Sequence, residues 1–163
     1  MKKIVSAMAI VAILSLACIS LAAEQIPPIP PIPDKFNNIQ VVKPDPSIPK
    51  AIADFIGEWE GVWKYEGTMG PWLTYGQEVR RAKIIIYEAS SSGKIKAIYG
   101  VGASPFQGGK GWRNYDAEIS EDGENKCFSF FPPSGFNMQF RLQNGVLLGR
   151  QGGNYAIEMK KVK

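Results

Sequence analysis

The feature that most restricts the fold is a period-two alternation of apolar and polar residues that begins near residue 58 and recurs to the C-terminus. The clearest run places four apolar side chains on one face: Phe136, Met138, Phe140 and Leu142. Successive side chains of a strand point to opposite faces, so such alternation is typical of half-buried β-strands. The pattern therefore predicts an all-β domain.

Short turn sequences separate these runs, at 90–93, 121–124, 132–135, 144–145 and 152–154. The pair Asn144-Gly145 is the strongest signal, because Asn-Gly readily takes the positive φ angles of a tight hairpin. Strands joined by short turns pair as antiparallel neighbours, and closure of the sheet removes its exposed edges. We therefore expect a single antiparallel up-and-down β-barrel of about eight strands.

The N-terminal residues 1–23 have the pattern of a signal peptide. Lys2 and Lys3 precede an apolar run, and small residues follow it. Two alternatives remain open: lipidation at Cys18, or an uncleaved anchor, since the uncharged run approaches the roughly 20 residues that span a bilayer. Each one delivers the domain across a membrane, as a periplasmic or secreted protein that contacts the membrane only through its N-terminus.

Residues 24–50 form a Pro-rich segment that holds eight of the twelve prolines. The run IPPIPPIP favours an extended polyproline II conformation. We interpret it as a stiff spacer, with a docking arm for a partner protein as the alternative. A short helix is then predicted before the barrel domain of residues 51–163, because Ile52, Phe55 and Ile56 share one helical face.

The residue types present exclude several kinds of catalytic site. The chain has no histidine, which excludes Ser-His-Asp and Cys-His catalysis, and Cys127 alone cannot form a thiolate metal cluster. Glu58 and Glu60 share the strand face opposite Trp59, which we expect to be solvated. The sequence has no stripe of basic residues with interleaved aromatics, so it does not predict nucleic-acid binding. The sequence therefore predicts a monomeric protein that is not an enzyme and has no metal or cofactor.

The stretch GEWEGVW at 57–63 places two tryptophans and two glycines at the start of the first strand. It resembles the calycin group of lipocalins, fatty-acid-binding proteins and avidin-like barrels, whose first strand carries a Gly-x-Trp signature. The chain is also similar to barrel modules of bacterial exported proteins, through WEGVW at 59–63, YGVG at 99–102 and RLQNGVLLG at 141–149. The resemblance covers residues 54–163 and implies a barrel fold, without specifying a ligand.

Five residues are candidates for ligand contact: Arg150, Tyr99, Tyr115, Trp112 and Phe106. Arg150 shares a face with Val146 and Leu148, so it would reach an anionic head group if that face is inward. The tyrosines offer hydroxyl contacts, and the aromatics of SPFQGGKGWRNY could rim the open end of the barrel. Each has a structural alternative, as a core residue, a loop anchor or a surface ion pair.

A small barrel encloses room for one ligand when its interior side chains do not fill it. We therefore expect non-catalytic binding of a small apolar or amphipathic molecule inside the barrel. The alternative is an envelope module with a filled core that binds a glycan, such as peptidoglycan, or a protein partner through the Pro-rich arm.

Overall fold

The computed structural model describes residues 26–104, 109–122, 125–132 and 135–162. The predicted signal peptide and Cys18 thus lie outside the described residues. Within those ranges, no helix has the length and hydropathy needed to cross a bilayer. One α-helix, α1 (Lys50–Ala53), confirms the short helix predicted before the barrel. The strands are β1 (Gly57–Tyr65), β2 (Glu78–Ala89), β3 (Lys94–Val101), β4 (Gly111–Glu118), β5 (Ser120–Asp122), β6 (Asn125–Phe130), β7 (Met138–Gln143), β8 (Val146–Gln151) and β9 (Tyr155–Lys161).

These strands form one antiparallel sheet in the order β4-β3-β2-β1-β9-β8-β7-β6-β5. The first strand pairs with both β2 and the last strand, β9, so the two ends of the domain meet in the middle of the sheet. Gly61 permits this pairing, because a Cβ there would lie 2.4 Å from the backbone oxygen of Glu158. The expected all-β barrel is confirmed.

Closure of the barrel is nearly complete and depends on a bend at Ile119. The single residue Ile119 separates β4, which pairs with β3, from β5, which pairs with β6. The chain itself therefore joins the two sheet edges at one end, and this division gives nine strands instead of about eight. Farther along, Tyr115 of β4 stacks on Phe130 of β6 with ring centroids 4.1 Å apart, so side chains close the remaining gap.

The two ends of the barrel differ. We call one end the mouth, formed by the described residues of the connections 66–77, 102–110, 131–137 and 152–154. We call the other end the base, formed by α1 and the turns at 90–93 and 144–145. At the base, Phe55 follows α1, is fully buried and packs edge-on against Phe128 at 5.7 Å. Its carbonyl accepts a 2.8 Å hydrogen bond from Trp59 Nε1, which fixes the helix to the first strand.

Aromatic side chains occupy the centre of the barrel. Phe128, Phe130 and Phe140 stack on one another with centroids 5.3–6.3 Å apart. The Trp63 ring meets Phe140 edge-on at 6.2 Å. Rings in this geometry pack at close to crystal density, so the described interior is a packed core.

The described part of the Pro-rich segment contains a short 3₁₀ helix at Asp34–Phe36 and lies on the barrel. Ile29, Phe36 and Ile39 pack on the outer face of the sheet, over a cluster formed by Ile85, Ile98 and Trp112. The indole Nε1 of Trp112 donates a 2.7 Å hydrogen bond to the carbonyl of Pro30. The segment therefore differs from the spacer interpretation: its isoleucines cover apolar surface that would otherwise face water.

Candidate binding site

A small pocket of about 70 Å³ opens at the mouth, beside the gap between β4 and β6. Its wall combines buried polar groups with apolar side chains. The polar and charged members are Arg80, Tyr99, Lys110, Arg113, Tyr115 and Gln151, and the apolar ones are Val101, Pro132 and Met138. The volume admits a small polar group such as a carboxylate or phosphate, and not a whole lipid or drug-sized molecule.

Arg80 is placed in the pocket by the alternation of β2. It has the same parity as Ala82, Ile84 and Ile86, which all face the core, so its side chain also points inward and is only 5% exposed. Its Nη2 donates to the carbonyls of Gly102, at 3.1 Å, and Gly109. Burial lowers the pKa of the Arg80 guanidinium, but an arginine keeps its charge in proteins. The mouth therefore holds a desolvated cation.

Two tyrosines, Tyr99 and Tyr115, line the same pocket as Arg80. Tyr99 Oη accepts a 2.8 Å hydrogen bond from Trp63 Nε1, and burial raises the pKa of the Tyr99 phenol. Tyr115 Oη is buried and has no hydrogen-bond partner among the described residues. Burial also raises the pKa of Tyr115, which Arg113 opposes. Both phenols are therefore neutral at physiological pH, and each can donate a hydrogen bond to an acceptor.

The charges of the pocket have one sign. Lys110 and Arg113 add two exposed cations to Arg80, and neither forms an ion pair with a described residue. The described lining residues include no carboxylate. Several cations and hydroxyl donors around a space without acids favour an anion, because charge-assisted hydrogen bonds are the strongest of their kind. The arrangement can hold a small anionic group.

Two of the five predicted ligand contacts, Tyr99 and Tyr115, lie together in this pocket. Phe106 lies outside the described residues. Trp112 faces the outer surface of the sheet, beneath the Pro-rich segment, because it is three positions from the inward Tyr115 on the same strand. Residues an odd number apart on a regular strand point to opposite faces, so Trp112 and Tyr115 could not have rimmed one opening.

Arg150 also lies outside the barrel. Its Nη1 contacts Glu66 Oε2 at 2.9 Å in a solvent-exposed ion pair. In β8 the inward residues are Leu147, Gly149 and Gln151. The run VLL is apolar on both faces, which removes the contrast that would have set the orientation of this strand.

Sequence reasoning missed Arg80 and Gln151, the two buried polar residues of the described chain. A signal for Arg80 was present, since in the sequence RRAKIII at 80–86 the inward parity of Ile84 and Ile86 extends back to it. The three consecutive isoleucines make the run apolar on both faces, which hides the parity of the arginine. Gln151 had no comparable signal, because its strand alternates weakly.

The acidic pair Glu58 and Glu60 lies on the outer face of the sheet. Lys83 Nζ contacts Glu58 Oε2 at 2.7 Å and Glu60 Oε1 at 2.9 Å. Burial alone would lower the pKa of Lys83, but its hydrogen bonds to these carboxylates raise it. Both glutamates thus bind a neighbouring cation. Cys127 is buried, and among the described residues no group of three acidic or cysteine side chains could hold a metal ion.

Comparison with known proteins gives no family. Neither a scan against protein-family models nor a search of curated proteins found a match. Among solved structures, the crystal structure of secretory abundant heat soluble protein 4 from Ramazzottius varieornatus is similar at a TM-score of 0.34 and 12% identity. That alignment covers 71% of this chain and 98% of the other. It is too distant to carry an argument about function.

Proposed function

We propose that the chain is a non-catalytic binding protein that holds the anionic group of a small, partly apolar ligand at the mouth of its barrel. The observation that carries this proposal is that one pocket is lined by the inward, desolvated Arg80 and by Tyr115, whose buried hydroxyl has no partner among the described residues. Burying a charge is costly, and a site of this kind stabilises an opposite charge far more than an exposed arginine does.

The packed aromatic centre moves the expected site from the interior to the mouth. Only the head group fits the pocket of about 70 Å³. The apolar part of the ligand would therefore contact Val101, Pro132 and Met138 and extend along the surface of the mouth. Export and the relationship to calycins remain predictions from the sequence.

Isothermal titration calorimetry with octyl phosphate, octanoate and octyl glucoside tests the proposal. The three probes share one tail and differ in the head group. We expect the two anions to bind more tightly than the glucoside by about ten- to hundred-fold, the difference that hydrogen bonds to a charged group contribute. Equal affinity for all three probes, or no binding of either anion, would contradict an anion site.

Tyr115→Phe removes the candidate donor and keeps the stacked ring. We expect it to weaken octyl phosphate binding about ten- to hundred-fold, the effect of one hydrogen bond to a charged group. Tyr87→Phe is the matched control, because the Tyr87 hydroxyl bonds Asn114 away from the pocket, at 3.1 Å. An equal loss in both variants would show that the Tyr115 hydroxyl does not contact the ligand.

A second candidate, an envelope glycan module, is favoured by one observation. Trp72 is 74% exposed and Tyr75 is 76% exposed in the connection 66–77, and exposed aromatic rings can stack on sugars. Titration with a soluble chito-oligosaccharide while Trp72 fluorescence is followed would test it. Saturable quenching that Trp72→Ala abolishes supports this candidate, and an unchanged emission spectrum opposes it.

A further inference from the structure

Exposed apolar side chains are concentrated at the mouth. Of the nine large hydrophobic residues that are exposed in the described chain, five lie in the mouth connections: Met69, Trp72, Tyr75, Phe131 and Phe136. The others lie in the Pro-rich segment or near the C-terminus. The base turns at 90–93 and 144–145 expose none. Exposed apolar residues that are clustered at one end of a protein usually mark a site of interaction with a partner.

The mouth connections that carry these residues adjoin one another. The amide of Glu66 donates to the carbonyl of Asn154 at 2.6 Å, which joins connection 66–77 to turn 152–154. The Phe136 ring packs beside Gly152 of the same turn, which links connection 131–137. The exposed rings therefore belong to one continuous rim.

Charge at the rim favours an anionic surface. Lys110 and Arg113 are exposed at the mouth without an ion-pair partner among the described residues, and Glu66 is already paired with Arg150. At the base, Lys50 pairs with Asp54, and Lys126 pairs with Glu121. Basic residues with exposed tryptophan and tyrosine are the combination that binds the interface of anionic membranes.

The described chain also begins at the mouth. The carbonyl of Pro27 lies 2.9 Å from the position that a Gly102 Cβ would occupy, so the Pro-rich segment starts beside the connection 102–110. Only Glu24 and Gln25 lie between Ala23, the end of the uncharged run, and Ile26, so the chain from Ala23 to Ile26 spans at most about 10 Å. An uncleaved anchor that ends at Ala23 would therefore hold the mouth close to the bilayer.

We infer that the mouth rim docks on an anionic lipid bilayer, with Trp72 and Tyr75 at the headgroup level. This inference goes beyond the proposed function and does not depend on a ligand in the pocket. A lipid surface fits better than a glycan, because the rim also exposes Met69, Phe131 and Phe136. Those side chains offer no hydrogen bonds to sugar hydroxyls and gain by leaving water.

Tryptophan quenching by brominated lipids tests the inference on the full processed protein. Trp59 and Trp63 are each 1% exposed and Trp112 is 8% exposed, so quenching by a lipid reports Trp72. We expect strong quenching in vesicles of brominated phosphatidylglycerol and phosphatidylcholine. Trp72→Phe should remove it even if the protein stays attached through its N-terminus, so the measurement reports orientation as well as binding.

Two further variants separate the apolar and electrostatic parts of docking. Tyr75→Ser should reduce Trp72 quenching, whereas Val42→Ser, which alters a residue of similar exposure on the Pro-rich segment, should leave it unchanged. Lys110→Gln should weaken partitioning into the anionic vesicles about five-fold, the change that about 1 kcal/mol per basic residue near such a surface produces. Circular dichroism checks that each variant is folded.

The following outcomes would overturn the inference. Trp72 emission unchanged by anionic brominated vesicles would show that the rim faces away from lipid, even if the protein is bound. If Tyr75→Ser and Val42→Ser changed Trp72 quenching equally, the contact with lipid would not be specific to the rim. Quenching by a chito-oligosaccharide without quenching by lipid would assign the rim to a glycan instead. A failure of octyl phosphate to bind would contradict the pocket and leave this result untouched.

Discussion

The base and the mouth of this barrel place aromatic residues in opposite situations. At the base, Phe55 and Trp59 are buried and joined by an indole-to-carbonyl hydrogen bond, and nearby charges pair with each other. At the mouth, Trp72 and Tyr75 stand in solvent, while Arg80 is drawn inside. The comparison indicates that the base completes the core, and that the mouth supplies the groups available to a partner.

The largest contrast should appear on removing one aromatic side chain from each end. Phe55→Ala deletes a fully buried ring and should lower the free energy of unfolding by about 3–5 kcal/mol. Trp72→Ala should change it by no more than about 0.5 kcal/mol, because Trp72 is mostly exposed. Urea unfolding measures both values. Similar losses at the two positions would mean that Trp72 is part of the structural core.

A smaller effect should follow from crowding the outer face beneath the Pro-rich segment. A Cβ at Gly100 would lie 2.6 Å from the Trp112 ring, so Gly100→Ala must displace the indole that holds Pro30. We expect a loss of about 1–3 kcal/mol, typical of overpacking. Limited proteolysis should then cut the Pro-rich segment faster, while the barrel stays intact. An unchanged cleavage rate would show that Trp112 does not retain the segment.

Alkaline pH should destabilise the protein through the buried phenol at the mouth side of the core. Burial raises the pKa of Tyr99 above its ordinary value of 10.0, so the unfolded chain loses this proton first. The contribution of Tyr99 to the free energy of unfolding is therefore fully present below about pH 10 and falls as the pH rises above it. Tyr99→Phe should make that decline shallower in urea unfolding at several pH values.

The same variant has a separate cost at neutral pH. Tyr99→Phe leaves Trp63 Nε1 without its acceptor, and we expect a loss of about 1–3 kcal/mol for that buried donor. Tyr87→Phe serves as the control, since its hydroxyl lies near the surface. If the stability of Tyr99→Phe fell above pH 10 as steeply as that of the unsubstituted chain, groups other than Tyr99 would be responsible for the loss of stability at alkaline pH.

The smallest effect should come from the exposed ion pair outside the mouth. Arg150→Gln removes the contact with Glu66, and we expect at most about 1 kcal/mol, because solvent screens such pairs. Octyl phosphate affinity should stay the same, whereas Arg80→Gln should reduce it. A loss of affinity in Arg150→Gln would return this arginine to the binding site, as the sequence had suggested.

The fold could be predicted from the sequence because its signals are local. Alternation within Phe136–Leu142 and the Asn144-Gly145 turn each act over a few residues, and their sum favours an antiparallel barrel. The Pro-rich segment was less predictable. Proline geometry restricts its conformation, but its contact with Trp112 joins residues 82 positions apart, which no local pattern records.

The candidate site was only partly predictable. Tyr115 lies in a strand with clear alternation, so its inward orientation follows from the pattern, whereas the strand of Tyr99 is apolar on both faces and does not fix its orientation. The structure places Arg80, which the sequence did not single out, inside the barrel and Arg150 outside it. Each lies at the end of a strand whose apolar residues occupy both faces, and there only the register with neighbouring strands decides which side points inward.

The most direct test of the account is a backbone NMR titration with octyl phosphate. The central claim is that the mouth binds the ligand and that the base is structural. The account predicts shifts at the amides of Gly102, Gly111 and Gln151, which adjoin the pocket, and none at Phe55 or Trp59. Shifts centred on the base, or no shifts at any concentration below micelle formation, would contradict it.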